Sequence, residues 1–576
     1  MRTNKEKSDL SRALGSVKGA FVSITVFSFF INILMLTSPL YMLQLYDRVL
    51  ASRSESTLLM ITLVVVFLFI IMGLLEFIRS RVLIRVGSRL EERLNQRLFD
   101  AAMLMSLLNP GQNNSQPLRD LTTVRQYITG NGLFAFLDSP WVLIYLGVLY
   151  LFHPLYGAFA TVAALVLLVL TFANEWTTKS ILADANKESI KSFGTAASHQ
   201  RNAEVVRAMG MQGNLRNRWL KGHNIFLGLQ SRASDKAAVW SNTSKTFRVM
   251  SQSLMLGLGC YLVIRSDLTP GMMIAGSIVM GRALAPLDML IGGWRGFSEA
   301  RSAYGRLHKL LSGIPGEKER MSLPSPEGNL EVVGVVAAPP GSRTPVLRGI
   351  NLSLAKGQVL GVIGPSAAGK SSLARVVLGL WPLHAGDVRL DGADIAQWSR
   401  DELGPHIGYL PQDIELFDGT ISQNIARFGE VDAEAVVEAA KLAGVHELIL
   451  KLPEGYDTVI GQAGGVLSGG QRQRIGLARA VYGNPVLVIL DEPNSNLDES
   501  GEEALGAAIA ELKRRQVTTI LITHRATILN AVDALLVLRE GQVALFGSRD
   551  EVLKKLTSAA NQQVAAPVRK TVPVAG

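Results

Sequence analysis

Residues Gln358–Leu380 read QVLGVIGPSAAGKSSLARVVLGL, the pattern of a strand, a glycine-rich turn and a helix in direct succession. The first six residues, Gln358–Ile363, are typical of a buried strand, and Ser372–Leu380 has a helical pattern. The turn between them, Gly364–Ser371, matches G-x-x-x-x-G-K-[ST], a loop whose backbone N–H groups bind phosphates. Because further short apolar runs alternate with helical patterns, the sequence predicts an α/β nucleotide-binding domain with a parallel sheet.

The chemistry of this domain is indicated by a few polar side chains. Lys370 is expected to contact the terminal phosphates of a nucleotide, and Ser371 to place its hydroxyl on Mg²⁺. A second apolar strand, Val486–Leu490, leads into Asp491 and Glu492. We expect Asp491 to hold Mg²⁺ through water and Glu492 to polarise the attacking water. An acidic pair at a strand end is weak evidence alone, but together with the phosphate loop it predicts a nucleotide hydrolase.

The long uncharged runs of the chain nearly all lie before residue 292, and they predict a membrane-spanning half. A hydrocarbon core about 30 Å thick requires roughly 20 apolar residues in a helix. Six stretches approach this length, and the fourth and fifth are expected to extend beyond their apolar runs: Phe21–Leu43, Leu58–Phe77, Leu133–Phe152, Tyr156–Phe172, Val249–Ile264 and Met272–Ile291. The distribution of Lys and Arg places both termini and the long segments after the second and fourth spans in the cytoplasm. Within those segments, Arg89–Leu98 and Lys179–Lys191 are predicted to be helical.

Charge and cysteine content exclude several other classes. A formal net charge of +10 is compatible with nucleic-acid binding, but basic cytoplasmic segments of a membrane protein explain it better, and no nucleic-acid partner is expected. The uncharged stretch from Ala20 to Tyr46 is too long for a signal-peptide core, so we interpret it as a retained first span. The single cysteine, Cys260, allows no intrachain disulfide.

Charged residues and prolines within the spans leave alternatives open. Three interpretations of Arg282 and Asp288 in the sixth span are open: they line a transport path, they pair with other charges in the bundle, or the span ends near Ala285. Three prolines either kink their helices or mark helix ends: Pro39, Pro140 and Pro286.

Between the phosphate loop and Asp491 lies the motif LSGGQ at Leu467–Gln471. With this motif the chain resembles the ATPases of ABC transporters, and the resemblance covers roughly Leu330 to Lys555. The other motifs of that family follow in its usual order: Gln412 in YLPQD, SNLD at Ser495–Asp498, and His524 in ITHR. The six spans fit the exporter arrangement. The implied fold class is a six-span α-helical membrane bundle followed by an α/β phosphate-loop domain.

The family resemblance implies an ATP site shared between two chains. Each ATP would touch the phosphate loop of one chain and the LSGGQ motif of the other, so the transporter would be a homodimer. The residues implied to bind ATP are Gly364, Pro365, Ser366, Ala367, Ala368, Gly369, Lys370, Ser371, Ser372, Ser468, Gly469, Gly470, Gln471 and Asp498. Mg²⁺ would be held by Ser371, Gln412 and Asp491. Catalysis would involve Glu492, His524 and Gln412.

Two departures from the family pattern stand out. Between Met321 and Lys356 there is no Phe, Tyr or Trp, and Ala337-Ala338-Pro339-Pro340 lies where the family usually stacks the adenine. Adenine discrimination is therefore expected to be loose or to come from another residue. The segment Gly461–Gly465 reads GQAGG, whereas relatives commonly have a glutamate near Gln462, and this difference bears on communication with the membrane half.

A finer resemblance rests on four segments that are similar to the inner-membrane ATPase of bacterial type I protein secretion: Ser38–Leu58, Arg201–Met211, Ile274–Asp288 and Gly408–Phe428. It implies export of proteins with uncleaved C-terminal signals, together with a periplasmic adaptor and an outer-membrane channel. About twenty residues precede the first span, so no N-terminal peptidase domain is expected. A lipid or small-molecule exporter of the same architecture is the main alternative. A regulatory ATPase and a DNA-repair ATPase fit less well.

The sequence also suggests the division of the chain. We expect a membrane domain over residues 1–310, a linker over 311–328, an ATP-binding domain over 329–556 and a disordered tail over 557–576. Two helices are expected to couple the ATPase to the membrane domain, Gln116–Val124 and Ala203–Met211.

Overall fold

The structure is a computed structural model that describes residues 12, 15, 18–109, 116–314, 322–461, 467–525 and 527–564. The chain divides into two compact units, and the boundary lies between Gly316 and Glu317. The first unit is helical, and the second contains the strands.

Helices of the first unit account for six candidate membrane spans among the described residues, as the apolar runs predict. The first span comprises α1 and α2, a π-helical segment Leu45–Val49 and α3; the third comprises α6, a 3-10 turn Ser139–Trp141 and α7. The other four spans lie in α4, α8, α10 and α11. The bounds are α1 Lys18–Leu34, α2 Thr37–Gln44, α3 Leu50–Ser52, α4 Glu55–Leu108, α5 Gln116–Thr129, α6 Asn131–Asp138, α7 Val142–Phe152, α8 Pro154–Arg201, α9 Ala203–Ala208, α10 Gln212–Ile264 and α11 Pro270–Gly313.

The long helices extend well beyond a bilayer. Helix α4 has 54 residues, which at 1.5 Å per residue is about 80 Å, against a hydrocarbon core of about 30 Å. The predicted helices Arg89–Leu98 and Lys179–Lys191 are parts of α4 and α8, and the fourth and fifth spans continue past their apolar runs. Two long helices begin with proline at the first helical position, where its missing N–H costs nothing: Pro154 in α8 and Pro270 in α11.

Pro286 and Asp288 both lie inside one continuous helix. Helix α11 continues to Gly313 with Pro286 in its interior, so Pro286 does not mark a helix end. Asp288 accepts hydrogen bonds from Ser244 Oγ at 2.8 Å and from Arg248 Nε at 3.2 Å. Asp288 therefore forms an ion pair, as one of the alternatives for this residue predicts. Pro140, in contrast, lies in the 3-10 turn that separates α6 from α7.

Three sheets lie in the described part of the second unit. Six strands make a sheet of order β12-β11-β3-β10-β9-β6, parallel except for β12, and four strands make an antiparallel sheet of order β2-β1-β4-β5. The third sheet is the antiparallel pair of β7 and β8. The parallel sheet confirms the prediction. The strands are β1 Leu330–Ala337, β2 Leu347–Leu354, β3 Val359–Ile363, β4 Leu383–Leu390, β5 Ala393–Asp394, β6 Ile407–Leu410, β7 Gly419–Thr420, β8 Val459–Ile460, β9 Leu487–Asp491, β10 Thr518–Ile522, β11 Ala534–Arg539 and β12 Gln542–Ser548.

Helices cover the six-stranded sheet, and its central strands are buried. All five residues of β9 and all five residues of β10 are buried. Continuous apolar strands of this kind are expected when both faces of a parallel sheet are covered. The helices are α12 Lys370–Val377, α13 Arg400–Leu403, α14 Ile421–Ile425, α15 Ala433–Leu442, α16 His446–Leu450, α17 Gly469–Val481, α18 Glu499–Arg514 and α19 Arg549–Val564.

Two expected domain limits differ from the helix ends. Helix α11 runs three residues into the segment 311–328 that was expected to be a linker, and residues 315–321 lie outside the described part. Helix α19 runs to Val564, so the start of the expected disordered tail at residue 557 was placed too early. Its first turn contains Asp550 and Glu551, which favour a helix N-terminus electrostatically.

Candidate nucleotide-binding site

Four neighbouring parallel strands bring the predicted site residues to one edge of the sheet. In the order β3, β10, β9 and β6, each strand pairs with the next in parallel register. Their carboxyl ends lead into the phosphate loop, His524, Glu492 and Gln412, respectively. Because the carboxyl ends of parallel strands meet at one edge, residues far apart in the sequence become neighbours here, which is where open α/β sheets bind ligands.

The phosphate loop needs glycine at two positions for geometric reasons. Gly364 has φ +156°, and a Cβ atom there would lie 2.2 Å from the carbonyl oxygen of Leu538. Gly369 has φ +100°, and its Cβ would lie 2.9 Å from Leu347. Between them, Pro365, Ser366 and Ala367 are exposed. The loop therefore presents an open strip of backbone just before helix α12, where N–H groups and the helix dipole favour an anion.

Lys370 lies across this loop. Its Nζ donates hydrogen bonds to the carbonyl oxygens of Gly364 and Pro365, both at 3.0 Å. Burial lowers the pKa of the Lys370 ammonium, while the charges of Glu492 and Asp491 oppose that shift. The ammonium is thus a largely desolvated donor held beside the loop, and its hydrogen bonds to an anion would be charge-assisted.

Asp491 is the most enclosed acidic residue of the site, with a relative exposure of 1%. Burial raises the pKa of its carboxyl, and a hydrogen bond from Ser371 lowers it. Its Oδ1 atom has no hydrogen-bond partner among the described residues. A buried carboxylate oxygen of this kind requires a donor or a cation. The pair of Ser371 hydroxyl and Asp491 carboxylate therefore fits a site for Mg²⁺, which prefers oxygen ligands and keeps several waters.

Glu492 is in contact with both other predicted catalytic residues. Gln412 Nε2 donates to Glu492 Oε2 at 2.9 Å, and His524 Nε2 lies 3.6 Å from Glu492 Oε1. Glu492 has φ +51°, a backbone conformation that is uncommon outside glycine and that concentrates at functional sites. The backbone N–H of Glu492 bonds the carbonyl of Ile522, which fixes the turn after β9 to β10. The structure thus brings these three residues together within one chain.

The LSGGQ motif forms the start of helix α17. Ser468 caps this helix through a capping box, in which Gln471 N–H donates to Ser468 Oγ at 3.3 Å and Ser468 N–H donates to Gln471 Oε1 at 2.9 Å. Gly470 allows the start of α17 to lie close to the backbone of Asn496, because a Cβ at position 470 would lie 2.8 Å from the carbonyl oxygen of Asn496. Within one chain the motif therefore packs against the segment that follows Glu492.

Asp498 has a structural role in this chain. It caps helix α18 by accepting from Gly501 N–H at 3.0 Å, and it pairs with Arg474. The hydrogen bond from Gly501 and the charge of Arg474 lower the pKa of its carboxyl. These contacts orient the SNLD segment, and they leave one face of the carboxylate exposed, since 70% of the side-chain surface remains accessible.

Gln473 was not among the residues predicted from the sequence. It is almost fully buried in α17, where its Nε2 donates to the carbonyl of Glu492 at 3.2 Å and its Oε1 accepts from Asn496 N–H at 3.0 Å. Gln473 therefore connects the LSGGQ helix to the backbone of Glu492. Its place two residues after LSGGQ, on the apolar face of an otherwise polar helix start, is the signal that could have identified it.

The region expected to meet the adenine contains no aromatic side chain from Met321 to Lys356. Strand β1 ends at Ala337, Ala338 is buried, and a turn closes with a hydrogen bond from Ser342 N–H to the carbonyl of Pro339 at 2.9 Å. The second departure from the family pattern, GQAGG at Gly461–Gly465, falls almost entirely on residues 462–466, which lie outside the described residues.

Comparison with known proteins supports this fold. Residues 347–495 match the family described as ABC transporter, and residues 21–284 match the ABC transporter transmembrane region. A bacterial Atm1-family ABC exporter, solved with ATP bound, has the same fold: the TM-score is 0.80 at 22% identity, over 96% of this chain and 99% of that one.

Two relatives are similar along nearly the whole chain. The type I secretion system ATP-binding protein PrsD of Rhizobium meliloti is 44% identical over 556 residues, which is 96% of either chain. The toxin RTX-I translocation ATP-binding protein of Actinobacillus pleuropneumoniae is 28% identical over 92% of this chain and 76% of its own length.

The chain belongs to the ABC transporters of the exporter type, which have a membrane region and a nucleotide-binding domain. Within that class it belongs to the family of type I secretion system ATP-binding proteins. It is an ATP-hydrolysing exporter of the bacterial inner membrane, and its ATPase domain is cytoplasmic.

Proposed function

We propose that this chain forms a homodimer that binds two ATP molecules between its ATPase domains. Each ATP would contact the phosphate loop of one chain, Gly364–Ser372, and Ser468–Gln471 of the other. The capping box and the positive end of α17 support a role for LSGGQ in binding an anion. Asp498 would lie at the same interface through its exposed face.

Hydrolysis would depend on Glu492 as the residue that orients and polarises the attacking water. Gln412 and His524 would position this carboxylate and contact the terminal phosphate, since both already contact Glu492. Lys370 would neutralise phosphate charge. When bound, Mg²⁺ would balance the charge of the phosphate oxygens, held by Ser371, by Gln412 and by Asp491 through water.

The cargo would be polypeptides with C-terminal secretion signals. The observation that carries this part is the 44% identity to a type I secretion system protein along 96% of both chains. Further relatives are named for the translocation or export of leukotoxins and of an RTX-I toxin, which are polypeptide cargoes. By the same relationship, a periplasmic adaptor and an outer-membrane channel would complete the export path.

Coupling between hydrolysis and transport would pass through two cytoplasmic helices, α5 and α9. Both overlap the helices predicted for this role: α5 continues five residues beyond Gln116–Val124, and α9 covers the first six residues of Ala203–Met211.

Deletion of the gene tests the proposed function. We expect the culture medium of the deletion strain to lack one or a few proteins that the parent secretes, and these proteins to accumulate inside the cell. Re-expression of the wild-type chain should restore secretion, whereas the Glu492→Gln variant should not. An unchanged set of secreted proteins together with altered lipid asymmetry would instead favour a lipid exporter.

A further inference from the structure

A half-open cavity of about 250 Å³ lies in the membrane unit, where α8, α10 and α11 meet. Each helix contributes residues at helical spacing: Asn174 and Thr178 from α8, Ser234, Ala237 and Ser241 from α10, and Trp294 from α11. The cavity begins just beyond the apolar runs Tyr156–Phe172 and Met272–Ile291. It therefore lies at the cytoplasmic end of the spans.

Asn174 is a buried polar residue in the lining of this cavity. The residue is 2% exposed, and its Oδ1 atom has no hydrogen-bond partner among the described residues. A buried amide oxygen left without a donor costs about 1–3 kcal/mol, so such groups are normally satisfied by protein, water or a ligand. Trp240 Nε1 donates to Thr177 Oγ1 at 2.9 Å, which joins α10 to α8 beside the cavity and holds its walls in place.

The charged residues around the cavity are paired with one another. Glu175 lies 3.9 Å from Lys179 and 3.7 Å from Arg301. Arg295, which lines the cavity, pairs with Glu299 at 3.0 Å. On the membrane side, Asp288 is bound by Ser244 and by Arg248. Arg295 is the only charged residue among the described lining residues, and it is already paired, so a neutral ligand suits the cavity better than an ion.

The size of the cavity limits the ligand further. Pockets that enclose whole small molecules commonly measure about 300–1,000 Å³, so this cavity is at or below the lower limit. The amide and hydroxyl groups that line the cavity offer both donors and acceptors at short range, beside larger side chains such as Leu182 and Trp294. This set is complementary to a peptide group, which carries one N–H and one C=O.

From these observations we propose that the cavity binds a short extended segment of the cargo polypeptide through its backbone, with Asn174 as the principal hydrogen-bonding residue. The inference rests on the proposed function, because it concerns a polypeptide cargo. It adds a position at which that cargo is held as it enters the spans, with recognition through main-chain groups common to all sequences.

The test uses the full-length transporter in the deletion strain and the protein whose secretion the deletion abolishes. Asn174→Leu keeps the shape of the side chain but removes both hydrogen-bonding groups, and Ala237→Phe fills the cavity. Val239→Phe is the matched control, since Val239 lies on the same helix but is 62% exposed on its outer surface. Basal ATPase activity of each purified variant reports whether it is folded.

We expect Asn174→Leu to lower secretion about tenfold, the loss expected for one buried hydrogen bond. Ala237→Phe should also lower secretion, because it occupies the space of the bound segment. Their basal ATPase activity should be retained, and Val239→Phe should secrete like the wild type. A photoreactive benzophenone side chain in place of Ser241 should also cross-link to the cargo, and one in place of Val239 should not. The cross-link tests the inference even if a filling variant fails to fold.

Two outcomes would overturn the inference while leaving the proposed function intact. One is wild-type secretion by Asn174→Leu and Ala237→Phe. The other is a Ser241 cross-link to phospholipid alone while the wild-type chain still secretes the cargo. If the wild-type chain restores secretion of no protein at all, the proposed function itself is wrong.

Discussion

Gln412 donates a hydrogen bond to Glu492, with 2.9 Å between Nε2 and Oε2, although the two residues are 80 positions apart. The contact arises because β6 and β9 are adjacent and parallel, with Leu410 opposite Leu490. A carboxylate oxygen that is held by an amide donor has a defined orientation. The glutamine thereby fixes the group that is proposed to polarise water, and it does so within a single chain.

Replacement of Glu492 by Gln should therefore abolish steady-state ATP hydrolysis while ATP binding is retained. The substitution removes the basic carboxylate but preserves size and hydrogen bonding, and loss of a general base typically costs about 10²–10⁴-fold in rate. Phosphate release by the purified transporter measures the first effect, and retention of labelled ATP measures the second. Turnover close to that of the wild type would contradict the role assigned to Glu492.

The Lys370→Ala variant should bind ATP more weakly by about 10- to 100-fold, since hydrogen bonds to charged groups contribute about 1.5–3 kcal/mol. Lys356→Ala is the matched control, because that lysine is exposed at a turn before β3 and should leave affinity unchanged. Fluorescent-nucleotide titration measures both. Equal affinities of the two variants would count against the phosphate-loop interpretation.

The ion pair between Arg306 and Asp120 should stabilise the membrane unit. Arg306 donates to both carboxylate oxygens of Asp120, at 2.8 and 2.7 Å, and Asp120 is 3% exposed. Arg306→Ala would leave the buried carboxylate of Asp120 without its cationic partner, although Gln116 Nε2 would still donate a hydrogen bond to Oδ1 at 2.8 Å. We expect a loss of about 2 kcal/mol, below the 3–5 kcal/mol of a fully buried pair because Arg306 is partly exposed.

Thermal unfolding of the transporter in detergent measures this loss. Arg301→Ala is the control, since Arg301 lies on the same helix and makes a longer, more exposed contact of 3.7 Å with Glu175. If both variants unfold at the same temperature, the Arg306–Asp120 pair does not stabilise the fold.

Features that depend on the local sequence pattern could be predicted from the sequence. Features that depend on contacts between residues far apart in the sequence could not. The apolar runs predict six spans because a bilayer imposes a minimum length, and the glycines of the phosphate loop predict a turn because few other residues fit it. By contrast, the position of Gln473 on the apolar face of its helix predicts burial but not its contact with the backbone of Glu492, and no pattern shows that Asn174 Oδ1 lacks a partner. Both facts depend on which helices pack together. The break in the third span follows from Pro140, but the sequence alone left its effect open.

Nucleobase selectivity should be weak, because the proposed contacts to the nucleotide are with its phosphates rather than with the base. Stacking on an aromatic side chain contributes about 1–3 kcal/mol with little preference among bases, and no aromatic residue lies between Met321 and Lys356 to supply it. The phosphate loop, Lys370 and the LSGGQ helix are all proposed to bind phosphate groups, which ATP and GTP share. We therefore expect the KM values for ATP and GTP to agree within about tenfold, a difference of about 1.4 kcal/mol. Steady-state kinetics with both nucleotides measures this ratio. A KM for GTP more than about a hundredfold above that for ATP would show that another residue recognises adenine specifically.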